Sequence, residues 1–487
     1  MQKFKIEEVF TNKRMVLLSL MFFLGFGFIR SAFGNYKPEN FKGIWEGTLK
    51  FSGTELRVVF KISEKPNGNF TATMDSPDQG ATNIPVSEVI IDNKKLRLNV
   101  KAVFGIYEGE LQEDGLSIKG DWKQSGLTLP LLLKKVEKIP EVKRPQEPKK
   151  PYPYNEEEIF YENKKAGIKL AGTLTLPEEN GPFPGVLLIS GSGAQDRNET
   201  IFGHHPFLVL ADYLTRQGIA VLRVDDRGIG KSTGDFAKAT TLDFASDVVS
   251  GIEFLKSRKE IDKKRIGLIG HSEGGIIAPK VACESPDVAF IVLLAAPGFP
   301  GDKILEMQTE LIAKAQKLAS EEEIMRAKNL NKQIYLIIKQ EEDNKIAEKK
   351  IRKIIEDALA ETPEKEREAM GKSEAMIDKE IQQLLSPWFR FFLSYDPKPA
   401  LKKIKCPVLA INGEKDLQVP PEENLTAIKE AFKVGGNKNY IVKELPGLNH
   451  LFQKATTGLP AEYGQIEETF SPTALKLIGD WIKEQTN

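Results

Sequence analysis

The chain has 487 residues, of which 40% are apolar and 28% charged, and its 69 basic side chains balance its 69 acidic ones. This length predicts about three domains of ~150 residues, and the apolar content excludes an intrinsically disordered chain. The lack of a basic excess argues against a nucleic-acid-binding protein, whose affinity depends on neutralising phosphates. Two cysteines, Cys283 and Cys406, are too few for a disulfide framework or a cysteine-built metal site.

Residues 1–34 have the composition of an export signal. Lys13 and Arg14 precede the apolar run MVLLSLMFFLGFGFI, and small residues follow at Ala32 and Gly34. A basic region, a short apolar region and a small-x-small site predict a secretory signal, cleaved here near Gly34. The run is shorter than the ~20 apolar residues of a spanning helix. An uncleaved membrane anchor is the alternative to a cleaved signal. Either way, we expect the rest of the chain in the periplasm or outside the cell, with membrane contact only through a retained N-terminal segment.

Residues 36–137 predict a small all-β domain. Short β-prone segments follow one another here, and turn signals separate several of them, among them PNG at residues 66–68 and EDG at residues 113–115. About eight short strands predict an antiparallel barrel or sandwich. The domain has no histidine or cysteine, which favours a packing or binding module, and a barrel that holds a ligand is the alternative. The Pro- and Lys-rich residues 138–153 have the composition of an extended linker.

From Tyr154 onward, short apolar runs alternate with helical patterns. The runs include GVLLIS, IAVLRV, RIGLIG and AFIVLLAA. Such alternation predicts βαβ units around a buried parallel sheet. The alternation breaks after Pro300 and resumes with CPVLAIN and YIVKEL. We therefore assign residues 154–300 and 396–487 to one α/β domain.

Residues 301–395 predict a helical insertion between two strands of that sheet. They are dense in Lys and Glu, which indicates a solvated face, and five of them recur on one face of a helix: Ile351, Ile354, Ile355, Ala358 and Leu359. An insertion at this place is a candidate lid. An aromatic cluster at its end either lines an acyl pocket or packs the insertion onto its core: Trp388, Phe389, Phe391, Phe392 and Tyr395.

The motif Gly270-His271-Ser272-Glu273-Gly274 follows the apolar run IGLI and precedes a helical pattern. This strand–turn–helix context is typical of the nucleophile elbow of a serine hydrolase. The turn is tight, so glycines at both flanks relieve clashes and the hydroxyl of Ser272 projects clear of the sheet edge. The backbone N–H of Glu273 then points into the site at a helix start, where it stabilises an oxyanion.

A second match to the same pattern lies at residues 230–234, GKSTG. It opens no immediate helix, so Ser232 is expected on a loop and is a poor candidate for the nucleophile. The same stretch also matches the end of a phosphate-binding loop. That motif needs glycine where this chain has Asp225, and a carboxylate repels phosphate, so we exclude nucleotide binding.

A serine nucleophile needs a base, and the base needs an orienting acid. The chain has four histidines. His450 follows the late run YIVKEL, in a loop at the edge of the sheet where open α/β sheets hold their sites, and it is the predicted base. The predicted acid is Asp416, in the turn after PVLAIN. The other candidates are Glu414, Asp225 and Asp226 for the acid, and His204, His205 and His271 for the base.

The oxyanion hole needs a second N–H donor, from the loop after GVLLIS. That loop begins Ser190-Gly191-Ser192-Gly193, and its glycines allow the backbone to approach a substrate closely. By position we assign the second donor to the backbone of Ser192, while the alternative is that the glycines serve only the turn.

The chain from about residue 154 to residue 487 resembles bacterial α/β-hydrolase esterases related to prolyl-oligopeptidase and dienelactone hydrolase. The matching stretches, in chain order, are GSGAQDRNET, VDDRGIGKSTGDF, GHSEGG, INGEKDLQVPP and LPGLNHLFQ. The resemblance implies an α/β-hydrolase fold and carboxylesterase activity on short acyl esters. The family usually carries His-Gly where this chain has Ser190-Gly191. Residues 36–137 lie outside the resemblance.

These observations predict an exported serine carboxylesterase that acts on small-molecule esters with short or medium acyl chains. Ser272, His450 and Asp416 form its triad, and the backbone N–H groups of Glu273 and Ser192 form its oxyanion hole. No metal or organic cofactor is implied, because no ligand spacing is present. The same triad serves acyl transfer in general, so a serine peptidase or thioesterase is an alternative. A non-catalytic envelope binding protein that works through its β domain is another, and the sequence carries no signal for an oligomeric state.

Overall fold

The computed structural model describes residues 38–51, 54–124, 127–139, 143–317, 319–361 and 374–487. The predicted export signal, residues 1–34, lies outside the described residues. Among the described residues, no helix combines the length and the apolar composition needed to cross a membrane.

Nine antiparallel strands form one curled sheet in the first part of the described chain. The strands are β1 (Gly43–Phe51), β2 (Thr54–Glu64), β3 (Phe70–Ser76), β4 (Ala81–Pro85), β5 (Glu88–Asp92), β6 (Lys95–Val100), β7 (Gly105–Leu111), β8 (Ser117–Gln124) and β9 (Leu127–Val136). Their order in the sheet is β4-β3-β2-β1-β9-β8-β7-β6-β5. The N–H of Val86 donates to the carbonyl of Ala72 (3.1 Å). The segment between β4 and β5 therefore lies beside β3.

Large aromatic side chains fill the inside of this curled sheet. Trp45, Phe60, Tyr107 and Trp122 are almost completely buried, and the rings of Phe60 and Tyr107 stack with 5.9 Å between their centroids. The predicted all-β domain is confirmed, but it has nine strands rather than eight. The additional strand β4 is polar and at most half-buried along its length, so it lacks the apolar alternation that marks the other strands.

The second sheet has eight strands and contains the candidate site. The strands are β10 (Tyr154–Asn163), β11 (Ile168–Pro177), β12 (Phe183–Ile189), β13 (Ala220–Val224), β14 (Ile261–His271), β15 (Phe290–Leu294), β16 (Val408–Gly413) and β17 (Tyr440–Leu445). Their order is β10-β11-β13-β12-β14-β15-β16-β17. The six strands from β13 to β17 in this order pair in parallel, while β10 and β11 add an antiparallel edge.

Helices cover both faces of this sheet. One face carries α2 (Thr241–Ser257), α3 (Gly274–Ala282) and α10 (Pro421–Gly435), and the other carries α1 (Pro206–Thr215) and α11 (Pro472–Thr486). The central strands are apolar along most of their length because both of their faces are buried. This arrangement confirms the predicted α/β-hydrolase fold.

Between β15 and β16 the chain forms a set of helices with its own apolar core. The helices are α4 (Gly301–Gln316), α5 (Glu321–Gln340), α6 (Asn344–Glu361), α7 (Glu374–Leu384), α8 (Pro387–Ser394) and α9 (Lys398–Lys403). Ile338, Ile351, Ile381 and Leu393 meet in the core of this insertion. A capping box between Ser320 and Glu323 fixes the start of α5.

Candidate active site

Ser272 lies in the turn between β14 and α3, with its backbone in the left-handed region (φ 52°). The glycines on either side leave no room for a side chain. A Cβ on Gly270 would lie 2.0 Å from the carbonyl oxygen of Gly274, and a Cβ on Gly274 would lie 2.2 Å from that of Ile189. A strained conformation at a residue with a side chain persists only where its surroundings enforce it. The structure therefore holds Ser272 in an enforced elbow.

Asp416 and His450 meet directly at the ends of two neighbouring strands. Asp416 follows β16 and His450 follows β17, and His450 Nδ1 lies 2.7 Å from Asp416 Oδ2. The other carboxylate oxygen accepts the backbone N–H groups of Gln418 (2.8 Å) and Val419 (2.9 Å). A carboxylate only accepts, so Nδ1 carries the proton and Nε2 of the neutral imidazole stays free to accept one.

The loop of His450 is attached to the elbow through His271. His271 Nε2 donates to the backbone carbonyl of His450 (3.0 Å), and the two rings lie 4.9 Å apart. Within the described residues, no hydrogen bond joins the hydroxyl of Ser272 to His450. In free enzymes such contacts are often long and tighten only when the substrate binds.

The loop after β12 lies against the elbow. A Cβ on Gly191 would lie 3.2 Å from Cβ of Ser272, a tight contact that glycine avoids. The N–H of Gly191 donates to Glu199 Oε1 (2.7 Å). In the described part of the chain, the N–H groups of Ser192 and Glu273 have no hydrogen-bond acceptor, which leaves both donors available to a ligand.

The side chain of Glu273 is buried beneath the helical insertion. Its carboxyl group accepts the hydroxyl of Thr241 (2.6 Å) and the indole N–H of Trp388 (2.9 Å to each oxygen). Burial raises the pKa of Glu273 above its usual value. Trp388 belongs to α8 and stacks on Phe392, with 5.3 Å between the ring centroids. Helix α8 is therefore joined to the residue that follows Ser272.

A cavity of about 50 Å³ extends from the loop after β12 towards α2. Ser190, Gly191, Asp226 and Glu273 are part of its lining. Asp226 accepts the hydroxyl of Ser190 (3.0 Å) and the N–H of Gln195 (2.9 Å). Burial raises the pKa of Asp226 to about 7. Strongly perturbed carboxyls in a cavity are a common property of functional sites.

The alternative candidates have other partners. Ser232 is buried, with its hydroxyl bonded to the backbone of residues 171 and 225. Asp225 binds Arg197, and Glu414 accepts a backbone N–H from residue 447. His204 is buried against Thr469 and Tyr463, and His205 contacts Glu147.

Two functional contacts were not predicted from the sequence. Glu199 lies within the stretch GSGAQDRNET, and its position among polar loop residues gave no reason to prefer it over its neighbours. The sequence places Trp388 only in an aromatic cluster, because sequence patterns do not indicate where an indole N–H donates. Among the described residues, no group of three or more His, Cys, Asp or Glu side chains is arranged to hold a metal ion.

Comparison with known proteins gives one family and several relatives. The family model described as serine aminopeptidase, S33 (Hydrolase_4) matches residues 206–454, a little over half of the chain. Esterase EstD of Thermotoga maritima is 27% identical over 311 residues, which cover 64% of this chain and 65% of that protein. The chain thus spans just under two thirds of that relative. An uncharacterised 31.7 kDa protein of Escherichia coli is 24% identical over 273 residues, or 56% of this chain and 85% of the relative.

The solved structures that resemble this chain include the following two. The Pyrococcus furiosus esterase Pf2001 is 17% identical, with a TM-score of 0.42, and the match covers 72% of this chain and 98% of that one. Est1E from Butyrivibrio proteoclasticus, solved with ferulic acid bound, is 18% identical, with a TM-score of 0.38. The match covers 67% of this chain and 97% of the Est1E chain.

Proposed function

Because the chain belongs to the Hydrolase_4 family of α/β-hydrolases, we propose that this hydrolase is a serine carboxylesterase. The observation that carries the proposal is the 2.7 Å contact between His450 Nδ1 and Asp416 Oδ2. Asp416 follows β16, which only β15 separates from the strand that ends at the elbow of Ser272 (φ 52°). The 27% identity to an esterase over 311 residues supports an ester as the substrate.

In the proposed reaction, the hydroxyl of Ser272 attacks the ester carbonyl while Nε2 of His450 takes its proton. Asp416 holds the imidazole in the required tautomer and stabilises the imidazolium that forms. The N–H groups of Glu273 and Ser192 bind the oxyanion of the tetrahedral intermediate. The imidazolium then protonates the leaving alcohol. In the second half of the reaction, His450 takes a proton from water, the water attacks the acyl group, and the proton returns to Ser272 as the acid is released.

The proposed substrates are small-molecule esters with short or medium acyl chains. The cavity of about 50 Å³ is lined by Ser190, Gly191 and Glu273 but not by Ser272 or His450, so the proposed chain length rests on the resemblance to short-chain esterases. The helical insertion covers the elbow through Trp388, so we propose that it acts as a lid. We also propose that the protein works outside the cytoplasm, on the basis of the signal-like residues 1–34.

The test is labelling with a serine-reactive phosphonate, followed by mass spectrometry and by hydrolysis assays with nitrophenyl esters. Wild type is expected to carry one adduct, on Ser272. Ser272→Ala is expected to lose the adduct and the activity together. Asp416→Asn is expected to lower kcat/KM by ~10³- to 10⁴-fold, because the wrong tautomer of His450 then faces the serine. Glu414→Gln, in the same turn, is the matched control and is expected to retain activity within about threefold.

An adduct on Ser232, or full activity of Ser272→Ala, would refute the assignment of the nucleophile. Equal losses in Asp416→Asn and Glu414→Gln would show that the turn matters only for folding. Unlabelled wild-type protein without esterase activity would favour the non-catalytic binding protein instead.

Serine peptidase activity is the second candidate function. Two buried carboxyl groups lie beside the elbow, those of Asp226 and Glu273, and neither forms an ion pair among the described residues. A positively charged amino group of a peptide substrate would supply a partner for them. A panel of nitrophenyl esters, acyl thioesters and aminoacyl anilides compares the candidates. Strong anilide turnover with weak ester turnover would overturn the carboxylesterase proposal.

A further inference from the structure

One carboxylate oxygen joins the loop after β12 to the elbow. Glu199 Oε1 accepts the N–H of Gly191 (2.7 Å) and lies 2.9 Å from Nδ1 of His271. Glu199 and His271 are both almost fully buried, with 3% and 6% of their surface exposed. Glu199 also has a left-handed backbone (φ 52°). A non-glycine residue in this conformation at a site is an observation that points to a functional constraint.

The hydrogen-bond partners of His271 fix the positions of its protons. The carbonyl of His450 can only accept, so Nε2 of His271 carries a proton. A carboxylate can only accept as well, so Nδ1 also carries a proton when Glu199 is ionised. Oε1 of Glu199 faces both Nδ1 of His271 and the N–H of Gly191. This geometry fits an imidazolium beside a carboxylate.

We propose that Glu199 and His271 form a buried ion pair that positions the catalytic groups for one another. This inference rests on the proposed function. The pair connects three loops: the loop after β12 with Gly191 and Ser192, the elbow after β14, and the loop after β17 with His450. Neither Glu199 nor His271 touches the reacting atoms in the proposed mechanism, so both are positioning residues.

The charges around His271 agree with this role. Burial by itself lowers the pKa of His271, but the charge and hydrogen bond of Glu199, the carbonyl of His450 and the charge of Asp416 outweigh it, so the pKa lies above its usual value. Asp226 is the further acidic group that faces Glu199. The rings of His271 and His450 are 4.9 Å apart. An unpaired imidazolium there would oppose protonation of His450 in the transition state, and the charge of Glu199 prevents this.

Glu199→Gln tests the ion pair with little change in shape. Its amide oxygen still accepts from Gly191, but it provides no charge, so His271 loses its second proton at a lower pH than in wild type. Nδ1 then presents a lone pair to the amide oxygen and the contact breaks. We expect kcat to fall by ~10²-fold at pH 8, the loss typical of a 1 Å displacement of reacting groups, with KM changed less than about threefold. The loss should become smaller as the pH is lowered towards 5.5.

Nitrogen-15 NMR of the imidazoles gives a direct readout, since the chain has only four histidines. Wild-type His271 is expected to show protons on both nitrogens at pH 7, and Glu199→Gln is expected to show a titrating His271. His271→Gln and the double variant complete a cycle. Because the pair acts as a unit, the double variant should lose about as much activity as either single variant.

Asp196→Asn is the matched control, since Asp196 caps the same loop through Asn198 and Thr200 and does not contact His271. It should change neither the pH profile nor the His271 signals. A neutral His271 in wild type at pH 7, or wild-type kcat in Glu199→Gln across the pH range, would overturn the inference. Failure of phosphonate labelling would refute the proposed function instead, and the NMR result does not depend on it.

Discussion

At the scale of single residues, the feature that sets this site apart is a buried acid that ionises near neutral pH. Burial raises the pKa of Asp226 to about 7, and the nearby carboxyls of Glu273 and Glu199 act in the same direction. An aspartate in an unfolded chain has a pKa of about 3.9. Between these values the folded protein keeps a proton that the unfolded protein has released, so Asp226 makes the fold less stable as the pH rises.

We therefore predict that raising the pH from 5 to 8 destabilises the Asp226→Asn variant less than it destabilises the wild type. The difference in melting temperature, wild type minus variant, should fall between pH 5 and about pH 7 and level off by pH 8, because Asp226 weakens the wild type by at most ~1.4 kcal/mol per pH unit until it ionises in the folded protein. Differential scanning calorimetry at four pH values measures it. Asp225→Asn is the control. Burial alone would raise the pKa of Asp225, but Arg197 holds it below its usual value, so its effect should be constant above pH 5. A constant difference for Asp226→Asn would contradict the prediction.

The site residues differ in how much the sequence says about them. Ser272 is marked by flanking glycines that the structure shows to be sterically required, and Asp416 and His450 are marked by their place after apolar strands. Each of these signals is local. The contacts of Glu199 are not local, since its partners lie 8 and 72 residues away. A buried acid with distant partners has no pattern in the sequence by which it can be found.

At the scale of elements, helix α8 connects the insertion to the elbow. The indole of Trp388 donates to both oxygens of Glu273, which lies next to the nucleophile. Thr241, from α2, donates to the same carboxyl group (2.6 Å). Two elements thus hold one side chain, but only one of them belongs to the insertion.

We predict that Trp388→Phe loosens α8, because the ring still packs while the N–H is lost. A hydrogen bond of about 1 kcal/mol corresponds to roughly fivefold faster amide exchange in α8, measured by hydrogen–deuterium exchange with mass spectrometry. Thr241→Val removes the other donor to Glu273 and leaves the insertion's contact intact, so it should not change exchange in α8. Equal effects of the two variants would show that Glu273 does not hold the helix.

The elements themselves were largely predictable from the sequence. Central strands such as β14 and β15 are apolar because helices cover both of their faces, and that pattern is strong. Polar residues at exposed positions weaken the alternation in β4 and β10. In β11 the polar residues Thr173 and Thr175 are themselves buried, so its sequence shows no continuous apolar run. The hydrogen-bond partner of Trp388 depends on how the insertion packs against the sheet domain, which is a tertiary property.

At the scale of the whole molecule, the curled sheet and the linker support the loops around His450. A Cβ on Gly464 would lie 1.7 Å from the carbonyl oxygen of Asp78, so the short turn Pro77–Gln79 packs tightly against the chain after His450. From the linker, the guanidinium of Arg144 donates to the carbonyl of its neighbour Lys143 and to four carbonyls distant in the sequence, those of Phe202, Gly203, Gly464 and Ile466. The turn of the all-β domain and the linker therefore both contact the segment that follows His450.

The support continues towards the base through buried polar groups. Next to Gly464, the carbonyl of Tyr463 lies 2.9 Å from Nε2 of His204, and the side-chain nitrogen of Gln453 lies 2.8 Å from the same ring nitrogen. Gln453 in turn accepts the side-chain N–H of Asn449 (2.9 Å), the residue before His450. No motif in the linker sequence predicts this chain of contacts, since Arg144 is one of several basic residues between prolines.

We predict that Arg144→Ala displaces the loop of His450 without unfolding the protein. The variant leaves four carbonyls without this donor. Only Gly464 among these residues is buried, and an unsatisfied buried acceptor costs ~1–3 kcal/mol. We expect kcat for ester hydrolysis to fall by ~10-fold or more with a nearly unchanged KM, and amide exchange to increase in residues 448–454. Lys143→Ala, at the exposed neighbouring position, is the control and should match wild type. If Arg144→Ala lowers the melting temperature but leaves kcat and the exchange of residues 448–454 unchanged, the linker stabilises the fold without positioning His450.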